Sequence, residues 1–362
     1  MPFLTLSCTN FRNLQNTTID LLAKEVYFVG ENGQGKTNLL ESLYYSAYGS
    51  SFRTHTEQEI IKEGETAFSV RTMFKDDNDS VTSIHSEFQK GRKKILKNHK
   101  KIADRKELVN TIPCVLFCHD DLDFAVGEPE RRRFFIDQSL SMYDVLYIDE
   151  MRSYKKILKN RNLVIKNKDY QMLDMYDQQL AQRGIFIQDK RKKMIFKFNT
   201  IFTRLYQQVS GIENVSILYE PSWKEIDNLT PSYEQVMEIL LSKRNVDFVM
   251  ETTMSGPHRD RIRFMKDGKS FVPTASTGQR RLISLLLRAA QAVHYSEVTG
   301  RKPVLLMDDV LLELDPDKRQ KFTSVLPPYN QLFCTFLPGE PYERYKTPNT
   351  KVYFVEEGSV HG

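Results

Sequence analysis

The sequence predicts an α/β fold, a mixed sheet with covering helices, interrupted by an inserted helical arm. Three observations predict it. Strand-like alternation and short apolar runs fill residues 3 to about 129 and return from about 212. Between them, residues 130 to 211 contain no proline and repeat their apolar residues at helical spacing. Third, "VYFVGENGQGKTNLLESLYYS", residues 26 to 46, passes from an apolar strand through a glycine-rich turn into a helical pattern.

Along the chain, "FLTLSC" alternates as a half-buried strand and "VYFVG" is a buried run. A helix is expected from Lys36 to about Tyr48, then a hairpin in "VTSIHSEFQKGRKKILKN" turning at Gly91. "IPCVLFCHDD" reads as a strand carrying two cysteines. In the arm, Tyr147, Met151, Tyr154 and Leu158 share one helix face, with Lys155, Lys156 and Lys159 beside them. Gly184 is expected to interrupt a second helical stretch, which resumes through Met194, Phe198, Ile201 and Leu205. Strands return in "VSILYEP". They are followed by a helix near 232 to 243, a loop "TTMSGPHRDR", a helix from about 279 to 295, and a buried strand "PVLLMDD". "KVYFVEEG" is the last strand expected. The predicted domains are a head formed by 1–129 and 212–362 and an arm of 130–211.

The composition, 40% apolar and 27% charged over 362 residues, suits a soluble protein with one large core or two smaller ones. No apolar run reaches membrane-span length, and the N-terminus shows no secretory signal. Four cysteines without framework spacing suit a reducing cytoplasm. Cys114, Cys118 and His119 form a possible metal cluster, but strand cysteines are the simpler reading. Charge is concentrated: residues 88 to 106 hold nine Lys/Arg and one Asp, a net of +8. The whole chain is +5, so the remainder sums to −3. Such a patch is the footprint of a polyanion, nucleic acid first, with Arg92, Lys93, Lys94, Lys97, Lys100 and Lys101 as the expected phosphate contacts. The plain alternative is a solvated hairpin face; DNA would then be sought on the arm, around Lys155, Lys156, Lys159 and Arg161.

Gly30-Glu31-Asn32-Gly33-Gln34-Gly35-Lys36-Thr37 fits the phosphate-loop pattern G-x-x-x-x-G-K-[ST]. Its backbone N–H groups would surround phosphate oxygens, Lys36 would place a point charge at the β/γ-phosphates, and the Thr37 hydroxyl would coordinate Mg²⁺. The expected nucleotide is ATP. Residues 303 to 315, "PVLLMDDVLLELD", form a buried strand ending in two acids, which parallel-sheet geometry brings to the same edge as the loop. Asp308 is then placed to hold Mg²⁺ directly or through water, and Asp309 to orient or deprotonate the attacking water. In "STGQRRLISLLLRAAQ", Ser276 reads as a helix N-cap; with a free hydroxyl and Gly278 nearby, that terminus is a second anion site. A second site for the same γ-phosphate suggests supply by another subunit.

These stretches together resemble the RecF DNA-repair ATPases, relatives of SMC-type and ABC-type ATPases. The likeness runs through "LTLSCTNFRNL", "GENGQGKTNLLESLYYSAYGSSFR", "FCHDDLDFAVGEPERRRFFID", "YKKILKNRNLVIK", "YDQQLAQRG", "SGPHRDRIRF", "STGQRRL" and "LLMDDVLLELD". It implies an ABC/SMC-type P-loop head with a Walker A loop at 30 to 37 and a signature loop at 276 to 279, Gln279 included. Asp308 and Asp309 match the Walker B acids, and Asp315 the D-loop aspartate at a head-to-head dimer interface. Arg12, in "NFRN", is expected to approach the nucleotide. The resemblance also implies ATP-driven homodimerisation on gapped or junction DNA, slow hydrolysis, and work with RecO and RecR to load RecA.

The chain departs from the family pattern at Cys118-His119-Asp120-Asp121 and at Arg261, and no Q-loop glutamine can be placed. "QLFCTFLP" lacks the switch histidine of many ABC-type ATPases, leaving Thr335 near that position. A transport ATPase subunit is the alternative, but its signature follows the P-loop within about a hundred residues by family resemblance, against 239 from Thr37 to Ser276 here. A coiled-coil chromosome organiser would need far longer heptads. A P-loop kinase would leave "STGQRR" unexplained.

Overall fold

Residues that alternate between core and solvent begin the chain, as β1 (Phe3–Thr9) and β2 (Thr17–Asp20), and β3 (Glu25–Val29) is buried at every position. The structure, a computed structural model, describes residues 2–76, 78–109, 111–224 and 230–362. It has two compact units: Met1–Asp121 with Gln291–Gly362, and Leu122–Ala290.

In the first unit β3 leads into α1 (Lys36–Tyr48). There follow β4 (Ala67–Lys75), β5 (Val81–Gln89), β6 (Arg92–Lys97), β7 (Lys100–Lys101) and β8 (Cys114–Phe117). The hairpin between β5 and β6 turns at Lys90 and Gly91, with φ of 50° and 71°, the left-handed pair that a two-residue turn requires.

The second unit begins with α2 (Leu122–Val126), α3 (Pro129–Ser141), α4 (Val145–Lys166) and α5 (Leu173–Ser210). It continues through β9 (Val215–Glu220), α6 (Tyr233–Val249), β10 (Arg261–Lys266) and β11 (Lys269–Ser270). Helix α7 (Thr277–Thr299) gives its first part to this unit and its last part to the other. The first unit resumes with β12 (Val304–Met307), α8 (Pro316–Ser324), β13 (Gln331–Phe336), β14 (Thr350–Glu356) and β15 (Ser359–His361).

The first unit holds two six-stranded sheets. One is antiparallel, in the order β2-β1-β4-β5-β6-β7; the other runs β15-β14-β3-β13-β12-β8, parallel except for β15. Helix α1 contacts both sheets and is buried on nearly all sides, which is why its sequence lacks a polar face. β15 was not among the expected strands. Three residues are too short to show a period; β15 forms because a turn at Glu357 and Gly358 folds it back on β14.

In the second unit, α5 packs on α3, α4, α6 and β9. The unit is therefore longer than the 130–211 arm read from the sequence: the apolar face of α5 is covered in part by elements after 211. Helices α6 and α7 also outrun the expected 232–243 and 279–295. Gly184 does not break α5. The helix runs through it, a single glycine costing a helix only about 1 kcal/mol, and buried Trp223 accounts for the glycine: an added Cβ would lie 2.4 Å from the indole. Gly184→Ala should cost about 1–3 kcal/mol by overpacking. Thermal melts should show the loss, and a second change, Trp223→Leu, should recover part of it; an unshifted melt would remove the indole as the reason.

Two ion networks lie inside this unit. Arg161, with no exposed surface, donates to Asp177 Oδ1 (2.6 Å), Asp247 Oδ2 (2.7 Å) and Thr253 Oγ1 (2.8 Å). It is thus withdrawn from the arm's expected nucleic-acid face. Arg191 spans Asp137 and Asp260, at 2.9 and 2.8 Å, and Asp260 also accepts from Tyr219 Oη and Ser222 N–H. This gives "GPHRDR" a structural part, while the departing Arg261 is exposed at the start of β10.

Half-buried His258 accepts at Nδ1 from Tyr154 Oη (2.7 Å) and donates from Nε2 to the Thr253 carbonyl (3.0 Å). Burial pushes its pKa down to about 4. A base depressed in the fold binds fewer protons than in the unfolded chain, so stability is lost as pH falls from about 6.5 towards 4, on the order of 3 kcal/mol. The difference in melting temperature between wild type and His258→Gln should narrow across that window. A difference that stays constant with pH would refute it.

Candidate nucleotide site

Residues Gly30, Glu31, Asn32, Gly33, Gln34, Gly35, Lys36 and Thr37 join the end of β3 to the start of α1. Gly35 caps the helix at φ 117°, a conformation that side chains rarely adopt. Lys36 is 4% exposed, and its ammonium donates to the carbonyls of Gly30 (2.8 Å) and Glu31 (3.1 Å). The loop is held from outside by residues that sequence reasoning did not single out. Asn13 donates to Gly33 O (3.0 Å) and accepts from Asn38 (2.7 Å). Gln34 accepts at its side chain from Glu357 N–H (2.5 Å) and at its carbonyl from Gly358 N–H (2.9 Å). The signal for Asn13 was present in "NFRN"; the turn beyond β14 carried none.

β12 and β13 pair in parallel, Met307 opposite Cys334, so the next residues, Asp308 and Thr335, emerge side by side. Thr37 Oγ1 donates to Asp308 Oδ1 at 2.9 Å, bringing together the two oxygens expected to bind metal. Burial raises the Asp308 carboxyl to about 6, and it has no ion-pair partner among the described residues. Two hard oxygens, one on an uncompensated carboxylate, fit Mg²⁺, which takes one or two protein oxygens and completes its octahedron with water and phosphate. Asp309 stands beside them, its N–H donating to Thr335 Oγ1 and its Oδ1 accepting from the same hydroxyl.

An open cavity of about 860 Å³ is lined by Arg12, Lys36, Thr37, Arg53 and Asp309, among others. Arg12 is held rigidly at this cavity. It makes a two-point pair with buried Glu41 (3.0 and 2.7 Å) and donates to Glu59 O (2.5 Å). Glu41 was missed because it looks like one polar residue in an apolar helix.

Ser276 caps α7, as expected, in a reciprocal box with Gln279. The Gln279 N–H reaches Ser276 Oγ at 3.2 Å, and Ser276 N–H reaches Gln279 Oε1 at 2.8 Å. The serine oxygen is therefore engaged, a correction to the free hydroxyl expected, although its proton remains to donate. Gly278 has open space around it: an added Cβ would meet nothing within 4 Å. Asp315 caps α8 through Lys318 N–H (2.9 Å) and pairs with the Lys318 ammonium (2.7 Å).

The basic segment is not a uniform free face. Lys93 pairs with Glu57 (2.6 Å), Lys94 with Glu87 (3.0 Å), and Lys97 donates to Thr111 Oγ1 (3.0 Å). Neighbouring side chains thus engage half of the six cations: Glu87 from the facing strand of the same hairpin, and Glu57 and Thr111 from outside it. Arg92, Lys100 and Lys101 are exposed without an ion pair among the described residues. On α4, Lys155, Lys156 and Lys159 are likewise exposed.

The comparisons with known proteins agree with this geometry. Residues 3–361 match the family "RecF/RecN/SMC N terminal domain". The chain is 50% identical over 358 residues to the DNA replication and repair protein RecF of Treponema pallidum, covering 98% of this chain and all of that one. It is 35% identical to RecF of Clostridium perfringens, covering 98% of each. A solved structure of the recombination mediator protein RecF with ATP, in the RecFOR pathway, superposes with a TM-score of 0.88 at 26% identity, over 99% of this chain and 97% of that one. An Smc head domain from Pyrococcus furiosus, at 16% identity, shares the fold with a TM-score of 0.57, over 99% of this chain and 95% of that one. The fold is thus the SMC-type P-loop head with a helical insertion, and the chain belongs to the RecF family.

Proposed function

We propose that the chain is a DNA replication and repair ATPase whose two heads close on DNA when ATP binds and separate after slow hydrolysis. The observation that carries this is the 2.9 Å bond from Thr37, which lines the nucleotide-sized cavity with Lys36 and Asp309, to Asp308 behind it. In this reading the loop N–H groups and Lys36 bind the phosphates, and Thr37 and Asp308 hold Mg²⁺, which supplies charge neutralisation at the β/γ oxygens. Asp309 orients or deprotonates the water, and Arg12 approaches the nucleotide. Gly278 supports a second head: glycine within a helix costs about 1 kcal/mol relative to alanine, and none of the described residues stands within 4 Å of where its Cβ would lie. Ser276 and Gln279 would meet the γ-phosphate held by the other copy, with Asp315 at the dimer interface.

The exposed cations Arg92, Lys100, Lys101, Lys155, Lys156 and Lys159 are the proposed DNA contacts. Gapped or junction DNA, cooperation with RecO and RecR in loading RecA, and a cytoplasmic setting complete the reading. Among the described residues no helix is long and apolar enough to cross a membrane.

The test is sizing with and without ATP and Mg²⁺, on gapped, duplex and single-stranded DNA. Wild type should dimerise only with nucleotide. Ser276→Arg should bind ATP yet stay monomeric. Mixed with Lys36→Arg it forms one intact composite site per heterodimer, so partial activity should return. Failure to complement at every ratio would exclude a signature acting across subunits.

A further inference from the structure

Asp309 holds a left-handed backbone, φ 53° and ψ 12°, which costs a non-glycine residue about 1–2 kcal/mol. The structure supplies what keeps it there. Thr335 is 3% exposed, and its hydroxyl accepts the Asp309 N–H at 2.8 Å and donates to Asp309 Oδ1 at 2.7 Å. Closing a ring through one residue's amide and its own carboxylate restrains both its backbone and its side chain. The hydroxyl has a single proton, and its second acceptor, Asp308 Oδ1, is farther away at 3.4 Å and already receives the Thr37 hydroxyl. Asp309 Oδ2 makes no hydrogen bond among the described residues, while Asp309 lines the cavity.

We propose that Thr335 is a positioning residue for hydrolysis: by clamping the amide and Oδ1 of Asp309, it leaves Oδ2 as the oxygen that receives the attacking water's hydrogen bond. The inference rests on the reading of this cavity as an ATPase site and adds to it the residue that aims the acid. An aspartate is shorter than a glutamate and has less reach of its own, so its aim depends on the backbone that carries it. Two hydroxyls thus hold the two acids separately: Thr37 donates to Asp308 and Thr335 to Asp309.

Thr335→Val keeps the shape and removes both bonds; Thr335→Ser keeps the hydroxyl. The valine variant should lower kcat by about 10- to 100-fold with ATP affinity unchanged, and serine should restore most of the rate. In nucleotide-free protein, hydrogen exchange at the Asp309 amide should speed up in the valine variant only, a readout independent of turnover. Thr335→Val combined with Asp309→Asn should be no slower than Asp309→Asn alone, because the threonine acts through that carboxylate. If Asp309→Asn is slow but Thr335→Val turns over normally, the inference fails and the site reading stands. If Asp309→Asn itself hydrolyses normally, both fall. A valine variant with weakened ATP binding, a lower melting temperature and unchanged amide exchange would show a merely structural residue and overturn the proposal.

Discussion

Lys36→Arg should lower ATP turnover by about 10²–10³-fold while the protein remains folded. Lys36 is 4% exposed, and its ammonium sits between two carbonyls of its own loop. A phosphate arriving in the loop offers oxygens that the ammonium can take up by a small swing from those carbonyls. Guanidinium keeps the charge but spreads it over a planar fork that needs a different set of acceptors. It would either displace the loop or project into the cavity, away from the β/γ-phosphates. Steady-state phosphate release measures the loss, and circular dichroism together with an unchanged melt establishes that the fold survives. Wild-type turnover in this variant would remove the phosphate loop from the mechanism.

Arg161→Ala should destabilise the Leu122–Ala290 unit by about 3–5 kcal/mol. Arg161, Asp177 and Asp247 are all fully buried, so removing the guanidinium strands carboxylates where water cannot reach them. Asp177 keeps Arg244 at 2.6 Å. Asp247 is left with the Met254 N–H at 2.8 Å and no cation among the described residues, and it carries most of the penalty. Arg161→Lys retains charge without the forked donors and should fall between the two. Urea denaturation gives the difference directly, and at about 2–4 °C per kcal/mol the melt should drop by roughly 10 °C. A loss below about 1 kcal/mol would mean that the network contributes no more than a surface pair.

Signals confined to a few consecutive residues were legible in the sequence. Helix α1 begins and ends where the glycine loop and the apolar run said it would, from Lys36 to Tyr48. Gly91 turns its hairpin, Ser276 caps its helix, and Asp308 follows an apolar strand to the edge where Thr37 waits. Each follows from a backbone angle, a cap or a period that neighbours in sequence express by themselves.

Tertiary structure decided which of these groups remain available and what aims them. Gly184 looked like a helix break, yet Trp223, 39 positions later, accounts for it by standing where its side chain would be. Arg161 looked like a surface cation beside Lys159, yet Asp247, 86 positions away, draws it into the core. Lys93 belonged to a basic stripe until Glu57 claimed it across the fold. Thr335 lies 26 positions from Asp309 and reaches it only because β13 pairs with β12 in one register. Local chemistry sets what each residue can do; sheet register and core packing set which partner it meets, and those depend on contacts between segments that no short window of sequence contains.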